Sequence, residues 1–105
     1  MNFKKLLMAS CVIAAASTTQ ADITIGVVTS SSGPVAMVGI PQKNSIALLP
    51  KKIGNENVRY ISLDDASDPT ASVKAVEKLI KENKVDAIIG PSGSPNATAV
   101  IGTIA

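Results

Sequence analysis

The sequence predicts an α/β fold in which a parallel sheet carries helices on both faces. Three observations carry that expectation. Runs at 23–29, 58–63 and 85–89 are dominated by apolar and β-branched residues without strict polar alternation, the mark of strands buried on both faces. Segments with helical spacing follow each run, giving strand, helix, strand, helix, strand, helix. The first and third runs end in loops made of Ser, Gly and Pro, at 30–34 and 90–94, the punctuation expected where a strand hands over to a helix.

Ile23-Thr24-Ile25-Gly26-Val27-Val28-Thr29 is the first strand, closed by Ser30-Ser31-Ser32-Gly33-Pro34. A helix over 40–49 follows, with Pro41 tolerated near its first turn and Pro50 ending it because the ring cannot continue a helix. Residues 51–55 read as a turn. Val58-Arg59-Tyr60-Ile61-Ser62-Leu63 is the second strand, ending in Asp64-Asp65. The strongest helical signal comes next: Asp68 as N-cap, Pro69 at the first helical position, and Val73, Val76, Leu79 and Ile80 on one apolar face opposite Lys74, Lys78 and Lys81. Glu77 and Lys81 stand four apart in the favourable order, a pair contributing about 0.3 kcal/mol on an exposed face. Asn83 is expected to close this helix. Residues 85–89 form the third strand, and Ser94 and Pro95 are the expected N-cap and first position of a last helix. Right-handed crossovers narrow the topology. With the third strand on the far side of the first from the second, the chain reverses its direction of winding between strands one and three, where open sheets of this kind hold ligands outside the strands' carboxyl ends.

Residues 1–21 have the zones of a secretory signal: Lys4 and Lys5, an apolar stretch over 6–16, then a small polar run to Ala21, after which cleavage is expected. The stretch falls short of the roughly 18 to 20 residues that a membrane-spanning helix needs. Met8-Ala9-Ser10-Cys11 loosely imitates a lipoprotein cleavage box, but the apolar core continues past Cys11, which argues against lipidation. Cys11 is the sole cysteine, so residues 22–105 carry neither a disulfide nor thiolate chemistry. The formal charge of +2 comes from Lys4 and Lys5; beyond them eight basic residues face the eight acidic ones. A neutral segment with Tyr60 as its lone aromatic offers no basic stripe or stacking platform for nucleic acid. The last helical pattern runs to Ala105 without a basic residue to close it, so a continuation beyond 105 is expected.

The two Ser/Gly/Pro loops provide hydroxyl donors and approachable backbone N–H groups, with no acid or base among them. Ser94 sits at a helix start, where its hydroxyl and the free first-turn N–H groups suit an anion. The same serine also suits plain capping of its own helix. Asp64, Asp65 and Asp68 read as a helix cap and solvated turn residues, not as a divalent-cation site. Asn96-Ala97-Thr98 matches a glycosylation sequon but lies at a helix start and reads as chance. With no histidine in the sequence, no Ser-His-Asp triad or His-ligated metal is available, and neither loop has the spacing of a nucleophile elbow, a phosphate loop or a dinucleotide fingerprint. No catalytic residue, cofactor or metal is expected.

Three pieces taken together resemble the periplasmic solute-binding proteins of the leucine/isoleucine/valine-binding type: Ile25-Gly26-Val27-Val28 leading to Ser32-Gly33-Pro34, then Leu63-Asp64-Asp65-Ala66-Ser67-Asp68-Pro69, then Val85-Asp86-Ala87-Ile88-Ile89-Gly90-Pro91 with its serine loop. The resemblance covers nearly all of 22–105. It implies two α/β lobes that close on a ligand about a hinge, with residues 22–105 as an incomplete first lobe. It also implies capture of a small amino acid or related carboxylate in the periplasm for delivery to the membrane permease of an ABC importer, by a protein monomeric at full length. Ser94 then falls on the family serine that binds the ligand's carboxylate, with Gly93 and Ser92 beside it. Where the branched-chain binders present an aromatic residue against the ligand, this sequence has Val38, which makes room for a larger or aromatic carboxylate. Similar lobes also serve as ligand-sensing domains of receptors and regulators, the alternative that the sequence leaves open.

Overall fold

A computed structural model of the chain describes residues 22–105. The expected signal over 1–21, its cleavage after Ala21 and Cys11 lie outside the described residues. The elements are β1 (Ile23–Thr29), α1 (Ala36–Ser45) with a 3-10 turn (Ile46–Leu48), β2 (Lys52–Ile53), β3 (Glu56–Asp64), α2 (Pro69–Lys81), β4 (Ala87–Ile89) and α3 (Ser94–Ile104).

The sheet order is β2-β3-β1-β4. β1 pairs parallel with β3, from Ile23 opposite Val58 to Thr29 opposite Asp64, and parallel with β4, from Ile25 opposite Ala87 to Val27 opposite Ile89. The third expected strand therefore lies across β1 from the second, and the change in winding falls between β1 and β4. Central β1 is the most buried strand, as expected of a strand covered on both faces. Alternation sends Gly26 and Val28 to one face and Val27 to the other. Val28 joins Val76 and Leu79 of α2 and Val100 of α3 in the core, with Ile61, Leu63 and Ile88 packed around them. α1 covers the opposite face.

α2 follows its sequence signals closely. Asp68 Oδ2 accepts from Ala71 N–H at 2.9 Å, and Val76 and Leu79 are buried. Glu77 and Lys81 approach to 3.8 Å on the exposed face. The close comes one residue before Asn83: Glu82 is the C-cap, and beyond it Lys84 takes a left-handed conformation at φ 51° and Val85 N–H returns to the Leu79 carbonyl at 3.2 Å.

α1 departs from expectation by starting four residues earlier than position 40. Ala36 N–H bonds the Gly33 carbonyl at 3.1 Å and Gly39 N–H bonds that of Val35 at 3.1 Å, so the turn after Pro34 already runs into helix, and Pro41 sits inside it. Gly39 reads locally as a loop residue, yet it is buried because α1 lies directly on the β1 exit: a β-carbon there would stand 2.0 Å from the Ser30 carbonyl oxygen. Leu49, extended ahead of Pro50, ends the segment.

Two strands also differ from their expected bounds. The turn over 51–55 contains β2, which pairs antiparallel with β3 through Ile53 and Glu56 and extends β3 back to Glu56. Polar Glu56 and Asn57 hid that extension, since strands are generally poor in them. β4 is shorter than 85–89 because Asp86 bonds sideways: Thr24 N–H donates to Asp86 Oδ2 at 2.8 Å, while Asp86 N–H reaches the Thr24 carbonyl at 2.7 Å.

Candidate functional site

Three loops meet at the carboxyl ends of the parallel strands: 30–35 after β1, 65–68 after β3 and 90–93 after β4. The first two are knitted together. Asp64 Oδ1 accepts from Ser31 N–H at 3.0 Å and Ala66 N–H at 2.9 Å, and its Oδ2 from the Ser32 hydroxyl at 2.6 Å. Ser67 adds a second stitch, donating its hydroxyl to the Ser32 carbonyl at 2.8 Å and accepting from Val35 N–H at 3.0 Å. Ala66 and Ser67 both hold left-handed backbone, at φ 52° and 63°. A conformation of that kind costs about 1 kcal/mol or more per non-glycine residue and persists only where the surroundings over-determine it.

Beneath the loops lies a buried carboxylate. Asp65, expected to be a solvated turn residue, is fully buried. Its Oδ1 accepts from the Ser30 hydroxyl at 2.7 Å and Ser67 N–H at 3.0 Å. Its Oδ2 accepts from the Ser72 hydroxyl at 2.5 Å and Asn96 Nδ2 at 2.7 Å. Burial alone would push the acid up; hydrogen bonds from Ser72, Ser30, Asn96 and Ser67 outweigh it and hold the carboxyl below its ordinary value of 3.8. Asp64 is also held below 3.8, chiefly by the Ser32 hydroxyl, against a smaller opposing effect of desolvation, with the N–H groups of Ala66 and Ser31 adding to it. The reading of Asp65 as solvated is thus corrected. The acid is drawn inward because four elements supply neutral donors to it. Asn96, whose sequon read as chance, is itself buried in this node.

A pH dependence follows. A folded-state value below the unfolded one stabilises fully above about 3.8 and is lost progressively as the pH falls from there toward the folded value. The unfolding midpoint of the protein at its native length is expected to fall more steeply below about pH 4 than between about pH 5 and 7. Asp65→Asn should remove part of that acid slope. A midpoint as flat below pH 4 as above it would contradict the assignment.

The four expected site residues fall in two places. Ser92 accepts from Ser30 N–H at 3.0 Å and donates to Gln42 Oε1 at 2.5 Å, tying the β4 exit to both the β1 exit and α1. Gly93, not Ser94, is the N-cap of α3, with an extended backbone and no side-chain cap bond. Ser94 is thereby moved to the first helical position, exposed, with no capping role for its hydroxyl. The first backbone bond of α3 is Ala97 N–H to the Gly93 carbonyl at 2.9 Å, so the N–H groups of Ser94 and Asn96 lie ahead of the helical ladder. Val38 lies apart from this turn, on the first turn of α1, 49% exposed beside exposed Met37 and Ile40. A cavity of about 400 Å³ opens at the same end of the sheet, lined by Thr29, Gln42, Ser45, Ile46, Ile89 and Pro91 among others, and none of the four lines it. Sequence reading missed Gln42, Ser30, Asp65 and Asn96. The Asp-Ala-Ser-Asp turn was the available signal for Asp65, since an aspartate commonly bonds the N–H two residues on.

The sequence profile described as "Periplasmic binding protein" matches residues 22–105. The chain belongs to the periplasmic binding protein family. Among curated proteins no match was found. Among solved structures, an extracellular ligand-binding receptor from Rhodopseudomonas palustris HaA2 is 48% identical, superposes with a TM-score of 0.79, and is matched over 82% of this chain and 24% of its own. An R. palustris ABC transporter solute-binding protein in complex with 4-hydroxybenzoate is 32% identical, with a TM-score of 0.70 over 79% of this chain and 24% of that one. The leucine-binding protein LivK from Thermotoga maritima is 25% identical, with a TM-score of 0.73 over 77% and 24%. This periplasmic binding protein chain therefore spans about a quarter of the length of the structures it matches. The fold is that of a partial N-terminal lobe, as the sequence resemblance implied. Among the described residues no helix is long and apolar enough to cross a membrane.

Proposed function

We propose that this periplasmic binding protein captures a small carboxylate outside the cytoplasm and delivers it to the membrane permease of an ABC importer, with Ser94 as the first-lobe contact of the carboxylate. The observation that carries the reading is the position of Ser94. Its hydroxyl is released from capping by Gly93 and stands with the leading N–H groups at the positive end of the α3 dipole. Gly93 supports close backbone approach. Ser92 keeps a lesser role, because its oxygen already bonds Ser30 and Gln42.

Val38 bears on which carboxylate is bound. A half-exposed valine, where the branched-chain binders present an aromatic ring, leaves space that favours an aromatic acid, and the related R. palustris solute-binding protein holds 4-hydroxybenzoate. An amino acid such as leucine is the other carboxylate that the turn suits, and LivK is a leucine-binding relative.

The test is titration calorimetry of the native-length protein against benzoates and amino acids. Charge-assisted hydrogen bonds contribute about 1.5 to 3 kcal/mol, so Ser94→Ala is expected to weaken the bound acid roughly ten- to hundredfold. An affinity in Ser94→Ala equal to that of the parent protein would sink the assignment.

A further inference from the structure

Carboxylate capture at Ser94 leaves unexplained a second carboxylate buried below it. Asp65 reaches four segments around the site: Ser30 at the β1 exit, Ser67 in its own loop, Ser72 on α2 and Asn96 on α3. Asn96 is the third residue of α3, two beyond Ser94, and its Nδ2 donates to both Asp65 Oδ2 at 2.7 Å and Ser72 Oγ at 2.8 Å. Its amide nitrogen is thus committed inside the node. On the other side of Ser94, Ser92 is held by the N–H of Ser30, the residue whose hydroxyl also bonds Asp65.

The short turn bearing Ser94 is therefore bracketed by two attachments that converge on one carboxylate. The bracketing matters because the N-cap is a glycine. Gly93 has no side chain to fix the entry of α3, and Pro95 has no N–H to contribute. Orientation that a capping side chain usually provides has to come from elsewhere, and Asn96 supplies it from beneath.

We infer that Asp65 and Asn96 are positioning residues for ligand recognition, setting the angle at which the Ser94 hydroxyl and the leading N–H groups of α3 meet the ligand's carboxylate. The inference rests on the carboxylate reading of Ser94. An ordinary core node would stabilise the lobe without favouring one ligand chemistry. A positioning node also alters how strongly the acid group of the ligand is preferred over its neutral amide.

The experiment compares acids with their amides on the native-length protein: 4-hydroxybenzoate against 4-hydroxybenzamide, and leucine against leucinamide. Parent, Ser94→Ala, Asn96→Ala, Asp65→Asn and the Ser94→Ala/Asn96→Ala double variant are each titrated at a temperature where circular dichroism shows them folded. In Asn96→Ala and Asp65→Asn the preference for acid over amide is expected to fall about tenfold. In the Ser94→Ala background, Asn96→Ala should change acid affinity by no more than about twofold, because the two residues act through one contact. Should Asn96→Ala fail to fold, Asn96→Ser is read by the same ratio. An unchanged acid preference in the node variants, with only a lowered melting temperature, would overturn the positioning role while a responsive Ser94→Ala left the site reading standing. Failure of both acids to bind the parent, or an indifferent Ser94→Ala, would remove the carboxylate reading and this inference with it.

Discussion

Asp65→Ala is expected to destabilise the lobe by about 3 to 5 kcal/mol, among the largest losses any single substitution here should cause. The substitution removes the acceptor on which the Ser30 and Ser72 hydroxyls, the Asn96 amide and Ser67 N–H converge, and leaves those donors without it in a buried space. Each buried donor left unpaired costs about 1 to 3 kcal/mol; the hydroxyls recover part of that by turning to other acceptors, so the sum falls short of four full penalties. The wild-type carboxylate is held by neutral donors alone, hence no cation is stranded by its loss. Asp65→Asn tests the same point more gently. It keeps one acceptor oxygen but sets an N–H against the donors on the other side. Denaturant unfolding of the native-length protein measures both variants, and an Asp65→Ala midpoint indistinguishable from that of the parent would show that the node contributes little.

Gly39→Ala sets two effects of opposite sign against each other. Helix propensity favours alanine over glycine inside a helix by about 1 kcal/mol. Packing opposes it, because the new β-carbon would sit 2.0 Å from the Ser30 carbonyl oxygen and 2.3 Å from its carbon, both backbone atoms with no rotamer to give way. Relief requires α1 to lift from the β1 exit, which pulls on the Gln42 to Ser92 bond and on the Ser92 to Ser30 bond. Overpacking of this kind costs about 1 to 3 kcal/mol and more where backbone has to move, so a net loss of about 2 kcal/mol is expected. Gly102→Ala is the companion measurement. Gly102 lies in α3 with nothing within 4 Å of the added carbon, so propensity acts unopposed and stability should rise by up to about 1 kcal/mol. Equal signs for the two glycines would contradict the packing argument.

Periodicity and caps made the architecture legible before any coordinates. β1 came out residue for residue, α2 started where Asp68 and Pro69 place it, and the sheet order put the change in winding between β1 and β4. The misses share a physical origin, in that distant partners decided them. Gly39 argues locally against helix, but tertiary contact with Ser30 needs a residue without a side chain there. Asp86 left the strand because its carboxylate caps the Thr24 N–H across the sheet. Asp65 looked solvated because its side-chain donors lie 7 to 35 positions away along the chain. Ser94 was expected to be the N-cap of α3, yet its neighbour Gly93 took that role, a one-residue shift that only backbone geometry reveals.

The two margins of the sheet are unlike. On one side β2, two exposed residues long and carrying Lys52, folds back antiparallel over β3. Short, charged strands of this sort discourage further pairing. On the other side β4 bonds only β1 among the described residues, and around it Ile89, Ile101 and Ile104 remain exposed. Backbone pairing on this lobe is therefore vectorial: of the two margins, the one open to a further strand is that of β4, on the same flank as the turn bearing Ser94.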